Sequence, residues 1–246
     1  MTAQFPDETV TVETLDRDVF VREYWDYKPG QHVTIIGPNG VGKTRLGFDL
    51  LKGTATREMP AYVLVSKPRD DEIDRYTKIL HFKTIQEYPP YIPLIKSRRP
   101  PGYMVRPEQG LKDLKADHAR LHKVFQDTIM GCYSSPQPRI IFADEVQELQ
   151  SGLKLKDECE ACWKRGRSLK CGLWALAQRS AYNSQDMYNA PEHLFLFNDP
   201  DKRNRQRFAE IGGVDPDLVM EQVYHLDQYQ ALYIKRTGPC LCVVNP

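Results

Sequence analysis

No apolar run in this chain approaches the roughly 20 residues that cross a bilayer, so no membrane span is expected. The opening residues, Met1-Thr-Ala-Gln-Phe-Pro-Asp-Glu8, have neither a basic cluster nor an apolar centre, and are not read as a secretory signal. A cytoplasmic setting is therefore expected. Excess charge is also missing: 34 Lys and Arg stand against 33 Asp and Glu, a net charge of +1. Proteins that coat nucleic acid are usually more basic. Any polyanion contact must then come from a local patch, or from a ring of subunits that concentrates positive charge in a pore. Internal repeats and a long disordered tail are absent. Zinc-type ligand spacing is incomplete. Of six cysteines, Cys159 and Cys162 form one C-x-x-C, with Cys171 nearby and Cys240-x-Cys242 far along the chain. Structural zinc sites usually need two such pairs, and the pattern favours reduced, largely buried thiols.

What is present is a composition ordinary for a globular protein. The 246 residues are 41% hydrophobic, enough for one α/β domain with a sizeable core. One stretch matches a chemical pattern without a mismatch: Gly37, Pro38, Asn39, Gly40, Val41, Gly42, Lys43 and Thr44 fit G-x-x-x-x-G-K-[ST]. An apolar run, His32-Val-Thr-Ile-Ile36, precedes it, and the helical pattern beginning at Arg45 follows. Strand, glycine loop and helix are the context such a loop needs. Its backbone N–H groups converge on one point, where the helix N-terminus adds positive potential. Lys43 is expected to reach the β- and γ-phosphates, and the Thr44 hydroxyl to hold Mg²⁺. A nucleoside triphosphate is the expected ligand. No guanine-selective Asn-Lys-x-Asp pattern accompanies the loop; ATP is expected, and the loop alone leaves GTP open.

Alternation of apolar and polar residues predicts strands at Thr9–Glu13 and Asp18–Arg22, within a β element over 1–32 packed on the core. Residues 33–246 then form the nucleotide domain. Short apolar runs predict strands at 61–66, 139–144, 172–178 and 193–198, suited to burial on both faces. Helices are expected at 72–80, 111–130, 153–168 and 200–210. A Pro-rich insertion occupies about 86–107, with one strand at 103–105. The tail at about 229–244 reads as a hairpin around Thr237-Gly-Pro239. Strands alternating with helices imply a three-layer α/β fold with a mostly parallel sheet.

Further residues complete a chemical set. The strand Arg139-Ile-Ile-Phe-Ala ends in Asp144-Glu145. Asp144 stands where a phosphate-loop enzyme completes its Mg²⁺ shell, and Glu145 where a base can take a proton from water. In isolation an Asp-Glu at a strand end is common; downstream of a full phosphate loop the chemical reading prevails. Gln178 ends a later strand and can sense the γ-phosphate or orient the water. Arg165 and Arg167, in Lys164-Arg-Gly-Arg167, carry two readings of equal standing. One is a guanidinium offered to a neighbour's nucleotide; the other is a solvated basic helix end.

The order of these motifs resembles the FtsK/HerA superfamily of DNA-pumping ATPases. The run Arg167-Ser-Leu-Lys-Cys-Gly-Leu-Trp-Ala-Leu-Ala-Gln-Arg-Ser180 is similar to that family's segment in which an arginine precedes a strand ending in Thr-Gln-Arg-Pro-Ser. His193 to Gly213 is similar to the strand and helix ending in Gly-Gly that follow there, and small phage relatives share Lys67-Pro-Arg-Asp-Asp71. Ala177 departs from the pattern, standing where threonine is common. So does the lack of a winged-helix module and of a nuclease domain, which excludes a full terminase. The resemblance covers residues 33–213. It implies a P-loop fold of the additional-strand, catalytic-glutamate (RecA-like) class, with peripheral β hairpins on the sheet. It further implies ATP and Mg²⁺ bound by Gly37–Thr44 with Arg45 adjoining, Asp144 in the Mg²⁺ shell, Glu145 as base, Gln178 as sensor, and Arg167 as a finger acting in trans, with Arg165 as the neighbouring candidate. The partners it implies are double-stranded DNA and further copies of the chain in a ring, a pentamer or hexamer, with a capsid portal or vertex protein as a docking partner.

The expected function is thus an ATP-driven DNA motor, most simply one that packages a viral genome. A conjugation or segregation pump would use the same engine. A nucleotide-dependent switch is the alternative from another class, against which Glu145 argues. No acceptor-substrate motif supports a metabolic kinase. Lys96, Arg98 and Arg99, flanked by tyrosines, could grip a phosphate backbone, although a charge run without a groove reads first as a solvated loop.

Overall fold

The computed structural model describes residues 12–90, 95, 98–110, 112–178, 184–208, 211, 213–237 and 240–246. The expected strand at Thr9–Glu13 lies mostly outside them. Among the described residues, ten strands form one sheet: β1 (Glu13–Asp16), β2 (Val33–Ile36), β3 (Ala61–Leu64), β4 (Lys83–Ile85), β5 (Gly102–Val105), β6 (Arg139–Ala143), β7 (Cys171–Ala177), β8 (His193–Phe197), β9 (Ala231–Lys235) and β10 (Cys240–Asn245). The helices are α1 (Arg17–Val19), α2 (Lys43–Thr54), α3 (Asp71–Ile79), α4 (Leu114–Tyr133), α5 (Lys156–Arg165), α6 (Asp186–Asn189), α7 (Lys202–Phe208) and α8 (Pro216–His225).

Across the sheet the order is β1-β10-β9-β8-β2-β7-β6-β3-β5-β4. From β8 to β4 every described pairing is parallel. β9 runs antiparallel to both β8 and β10, and β1 adds parallel to β10. The sheet is therefore mostly parallel, with the C-terminal hairpin on its periphery.

The strands are short and apolar on both sides because both faces are covered. On β6, Ile140 and Phe142 join one core with Leu46 and Phe48 of α2 and Ile73 and Tyr76 of α3. Ile141 and Ala143 point the other way, into a second core with Leu121 and Phe125 of α4, Trp163 of α5 and Val219 of α8. Three layers result. Each large side chain buried in this way stabilises the fold by roughly 1.5–3 kcal/mol.

The stretch 18–22, expected as a strand, is helical instead: α1 runs on into a π-helical turn, Phe20–Tyr24. Arg17 and Phe20 are both buried, and a spacing of three brings them to one face only on a helix. Phe20 packs edge-on against Tyr233 at 4.7 Å and Phe195 at 5.8 Å. Two elements are not signalled by periodicity. β4 has three residues, none of them buried. α8 buries only Val219 and Val223, too few to make an apolar stripe. Its start is nevertheless encoded, since Asp215 accepts a hydrogen bond from Asp217 N at 2.9 Å and Pro216 takes the first turn. Strand β5, inside the Pro-rich stretch, lies between β3 and β4 as a full member of the sheet. Among the described residues no helix is long and apolar enough to cross a membrane.

Candidate active site

Parallel neighbours end on the same edge of a sheet, so the turns after β2, β6 and β7 must converge. β7 lies between β2 and β6. Ile36 pairs with Ala177, and Ala175 pairs with Ala143. This register brings Gly37, Gln178 and Asp144 to neighbouring strand tips. Gly37 N donates to Ala177 O at 3.1 Å, joining the start of the glycine loop to the residue before Gln178.

The loop owes its shape to glycine at two points. A Cβ on Gly37 would meet Phe197 Cβ at 2.6 Å, so only glycine lets the chain pass β8. Gly42 has φ +91°, a left-handed conformation disfavoured for side-chain-bearing residues. It occupies the N-cap of α2, where no side chain caps the helix and the first turn carries no acidic residue. The first-turn N–H groups of an α-helix have no intrahelical acceptor, which makes this end of α2 receptive to an anion. Lys43 is buried, and its Nζ donates to Pro38 O at 2.7 Å across the loop. Burial lowers its ammonium to about 8, against the opposing pull of Asp144 and Glu145.

The acidic pair is held by neutral donors. Thr44 Oγ1 donates to Asp144 Oδ1 at 2.9 Å, and Gln178 Nε2 donates to Glu145 Oε1 at 2.6 Å. The Asp144 side chain is only 11% exposed. Burial raises its pKa; the Thr44 hydrogen bond and the nearby Lys67 and Lys43 offset this only in part. A half-compensated buried carboxylate beside a hydroxyl is an all-oxygen donor pair of the kind Mg²⁺ accepts alongside phosphate and water. The residues present fit that ion.

Asn39, Gly40, Gly42, Lys43, Thr44 and Arg45 line one cavity of about 390 Å³. Five further residues complete its wall: Glu72, Pro246 and three that are not among the expected site residues, Lys67, Arg17 and Tyr229. Lys67, three residues past the end of β3, lies 3.8 Å from Asp144 and 3.4 Å from Asp70. Burial pulls its ammonium down, but Asp144 and Asp70 outweigh that and raise it. Arg17 reaches the cavity from the N-terminal arm, held by Asp49 at 3.2 Å. Tyr229 comes from the turn before β9. Of the three, only Lys67 belongs to a stretch noted in the sequence.

The arginines lie elsewhere. Arg165 ends α5 and Arg167 follows, so both precede β7 while Gln178 follows it. Six residue steps at ~3.3 Å each separate the two ends of β7 by about 20 Å. Arg165 is exposed. Arg167 is 70% exposed and approaches buried Glu192 at 3.9 Å. Neither meets the loop of its own subunit. Arg99 is half-buried, and with Arg57, Gln137 and Pro138 it lines a 250 Å³ cavity. That cavity lies at the same end of the sheet, where β3, β5 and β6 begin. Arg98 is exposed; Lys96 lies outside the described residues. All six cysteines are free thiols, five of them buried, and the described residues contain no cluster of three metal-ligating side chains.

No protein-family model and no curated protein sequence matches the chain. Solved structures do. The genome packaging NTPase B204 from Sulfolobus turreted icosahedral virus 2, in complex with AMPPCP, superposes with a TM-score of 0.60 at 14% identity, over 89% of this chain and 99% of that one. The DNA-packaging ATPase B204 from Sulfolobus Turreted Icosahedral Virus gives 0.55 at 15% identity, with the same coverage. The bacterial conjugative coupling protein TrwBdeltaN70 gives 0.56 at 10% identity, over 95% and 92%. The chain thus shares the three-layer α/β fold of these NTPases, with β7 inserted between the loop-bearing strand β2 and the acidic strand β6.

Proposed function

We propose that the chain is a Mg²⁺-dependent ATPase that moves double-stranded DNA as a homo-oligomeric ring, and that its task is packaging a viral genome into a capsid from the host cytoplasm. The observation that carries this reading is the joining of Glu145 to Gln178 and of Asp144 to Thr44 beside one glycine loop. The likeness of fold to packaging ATPases supports the choice of cargo.

Gly37 to Thr44 cradle the triphosphate, with Lys43 on the β- and γ-phosphates. Thr44 and Asp144 would hold Mg²⁺, which would supply neutralisation of the charge building on the phosphate oxygens. Glu145 accepts a proton from a water molecule. The water oxygen bonds to the γ-phosphorus, and the bond to the β–γ bridging oxygen breaks, releasing ADP and phosphate. Gln178 fixes the Glu145 carboxylate on the side facing the loop. Arg165 and Arg167 lie beyond the far end of β7, so either would act as the finger on a transferring phosphoryl group only at a neighbouring subunit's loop. A ring, pentameric or hexameric, provides that neighbour. Arg57, Arg99 and Arg139 at the start of β3, β5 and β6, with exposed Arg98 next to Arg99 and with Glu58 offsetting part of their charge, offer the local group of arginines through which a nearly neutral chain would meet DNA. A portal or vertex protein would dock the ring on the capsid. The fold likeness to a conjugative coupling protein favours a conjugation pump as the second reading.

The test is the ATPase rate with added duplex DNA, single strands and RNA. Stimulation by duplex alone is expected. A rate indifferent to all three would exclude a DNA motor and leave the nucleotide switch.

A further inference from the structure

The cavity at the glycine loop extends beyond the groups that phosphates need. Tyr229 is on its wall and meets the loop directly: a Cβ built on Gly42 would lie 3.4 Å from Tyr229 Cδ1. The ring therefore rests on the last glycine before Lys43. Tyr229 has φ +69°, a left-handed conformation that a bulky residue adopts only when its surroundings impose it.

The imposing contacts are visible. Asp227 to Gln230 form a tight turn in which Gln230 N donates to Asp227 O at 3.2 Å. Asp227 N donates in return to Gln230 Oε1 at 2.8 Å. The other end of the Gln230 amide donates to Asn245 Oδ1 at 2.7 Å, fastening the turn to β10. The turn is thus pinned on both sides while the Tyr229 side chain remains 43% exposed. A large aromatic ring carried on a pinned turn at a cavity wall and left partly open is poorly explained by packing. It is well suited to cover a flat, apolar ligand face. The cavity, about 390 Å³, falls within the roughly 300–1,000 Å³ range of small-molecule sites.

We propose that Tyr229 is the stacking platform for the nucleobase, holding the base against its ring while the glycine loop holds the phosphates. This rests on the reading of that loop as a triphosphate site. Stacking on an aromatic face tolerates any base, because every base has a π-face. The platform therefore raises affinity for nucleotides as a class and discriminates little between adenine and guanine.

Calorimetric binding of Mg-ATP, Mg-GTP and Mg-tripolyphosphate to the full chain separates the two claims. Y229A is expected to weaken both nucleotides about ten- to a hundredfold, the span of aromatic–base stacking. It should leave tripolyphosphate, which has no base, unchanged. Y229F should bind all three like the parent, which distinguishes a ring from a hydroxyl. Melting temperature with tripolyphosphate bound reports whether Y229A keeps its fold. Unchanged ATP affinity in Y229A overturns the platform. Equal losses of ATP and tripolyphosphate also overturn it and make Tyr229 a prop for the loop. A parent protein that binds none of the three ligands sinks the loop reading itself, and the platform with it.

Discussion

At the end of β7, Gln178 donates a 2.6 Å hydrogen bond to Glu145; before its start, about 20 Å away, Arg167 stands 70% exposed with Glu192 at 3.9 Å. The two regions use charge in opposite ways. Beside the glycine loop, charged groups are each engaged by a neighbour: Asp144 by the Thr44 hydroxyl and the Lys67 ammonium, Lys43 by the Pro38 carbonyl. Such a cluster is preorganised, and its chemistry requires little rearrangement. At the other end the backbone is fixed while the guanidinium is not. Lys170 N donates to Arg167 O at 3.2 Å, and Arg139 N donates to Lys170 O at 3.0 Å. A cation on a fixed base with a solvated tip has the freedom that the proposed trans-acting role requires. Only the arginine end of the 3.9 Å Arg167–Glu192 contact is solvated; the buried Glu192 carboxylate also accepts from Thr237 N at 2.8 Å, so it keeps a hydrogen-bond partner when the arginine turns elsewhere.

The largest effect expected from this contrast is at the far end. R167A should lower ATP turnover ~10³-fold or more, as loss of a trans-acting arginine does, with nucleotide affinity in single subunits intact. R165A identifies which of the pair acts. Mixing R167A with E145Q subunits should restore part of the rate, because each supplies what the other lacks at a shared site. E192Q, which frees Arg167 from its ion pair, should keep activity. The comparison breaks if E192Q is as inactive as R167A, for then Arg167 serves its own subunit by holding Glu192.

The next effect is at the near end. E145Q should lower turnover about 10²- to 10⁴-fold, the range of a positioned general base, while retaining ATP binding. Q178A leaves the carboxylate in place but unfixed, so a smaller loss is expected, on the order of tenfold. Single-turnover rates in excess enzyme check both. If Q178A equals or exceeds E145Q in effect, Gln178 touches the reacting atoms and is more than a brace for Glu145.

Much of this contrast was legible in the chain. The glycine loop and the tips of β6 and β7 are written as local patterns, and parallel pairing then brings them together. The arginine before β7 was legible as a residue, but its distance from the loop was not, since that follows from strand length and direction. Tyr229 and Arg17 were illegible, because each reaches the cavity from an element distant in sequence. The helix over 17–24 was misread because five alternating residues fit two periods equally, and burial of Arg17 with Phe20 decides between them. The hydrogen bond from Gln178 to Glu145 needed the register of β7 on both its neighbours, information that no single strand carries.

The smallest expected effect concerns Lys43 and separates the regions by pH. Burial holds its ammonium near 8, well below the ordinary 10.5, whereas arginines stay charged throughout the accessible range. Phosphate binding needs the charged form. Affinity for tripolyphosphate should therefore be flat below pH 8 and fall up to about tenfold per unit above it. Binding at pH 9 should draw close to one proton from buffer, measurable as a dependence of binding heat on buffer ionisation. Stability must move the other way. The folded-state value lies below the unfolded one, so the cost of burying the charged ammonium is fully present below pH 8 and fades between pH 8 and 10.5. Parent minus K43A, compared by denaturant unfolding across that window, isolates this from other titrating groups: the parent should gain on K43A as pH rises. The Arg167-dependent loss in turnover, taken as the ratio of parent to R167A, should stay constant over the same range. Affinity that holds level from pH 7 to 9.5 would mean that the loop's positive charge comes from its backbone, and would remove Lys43 as the principal phosphate contact.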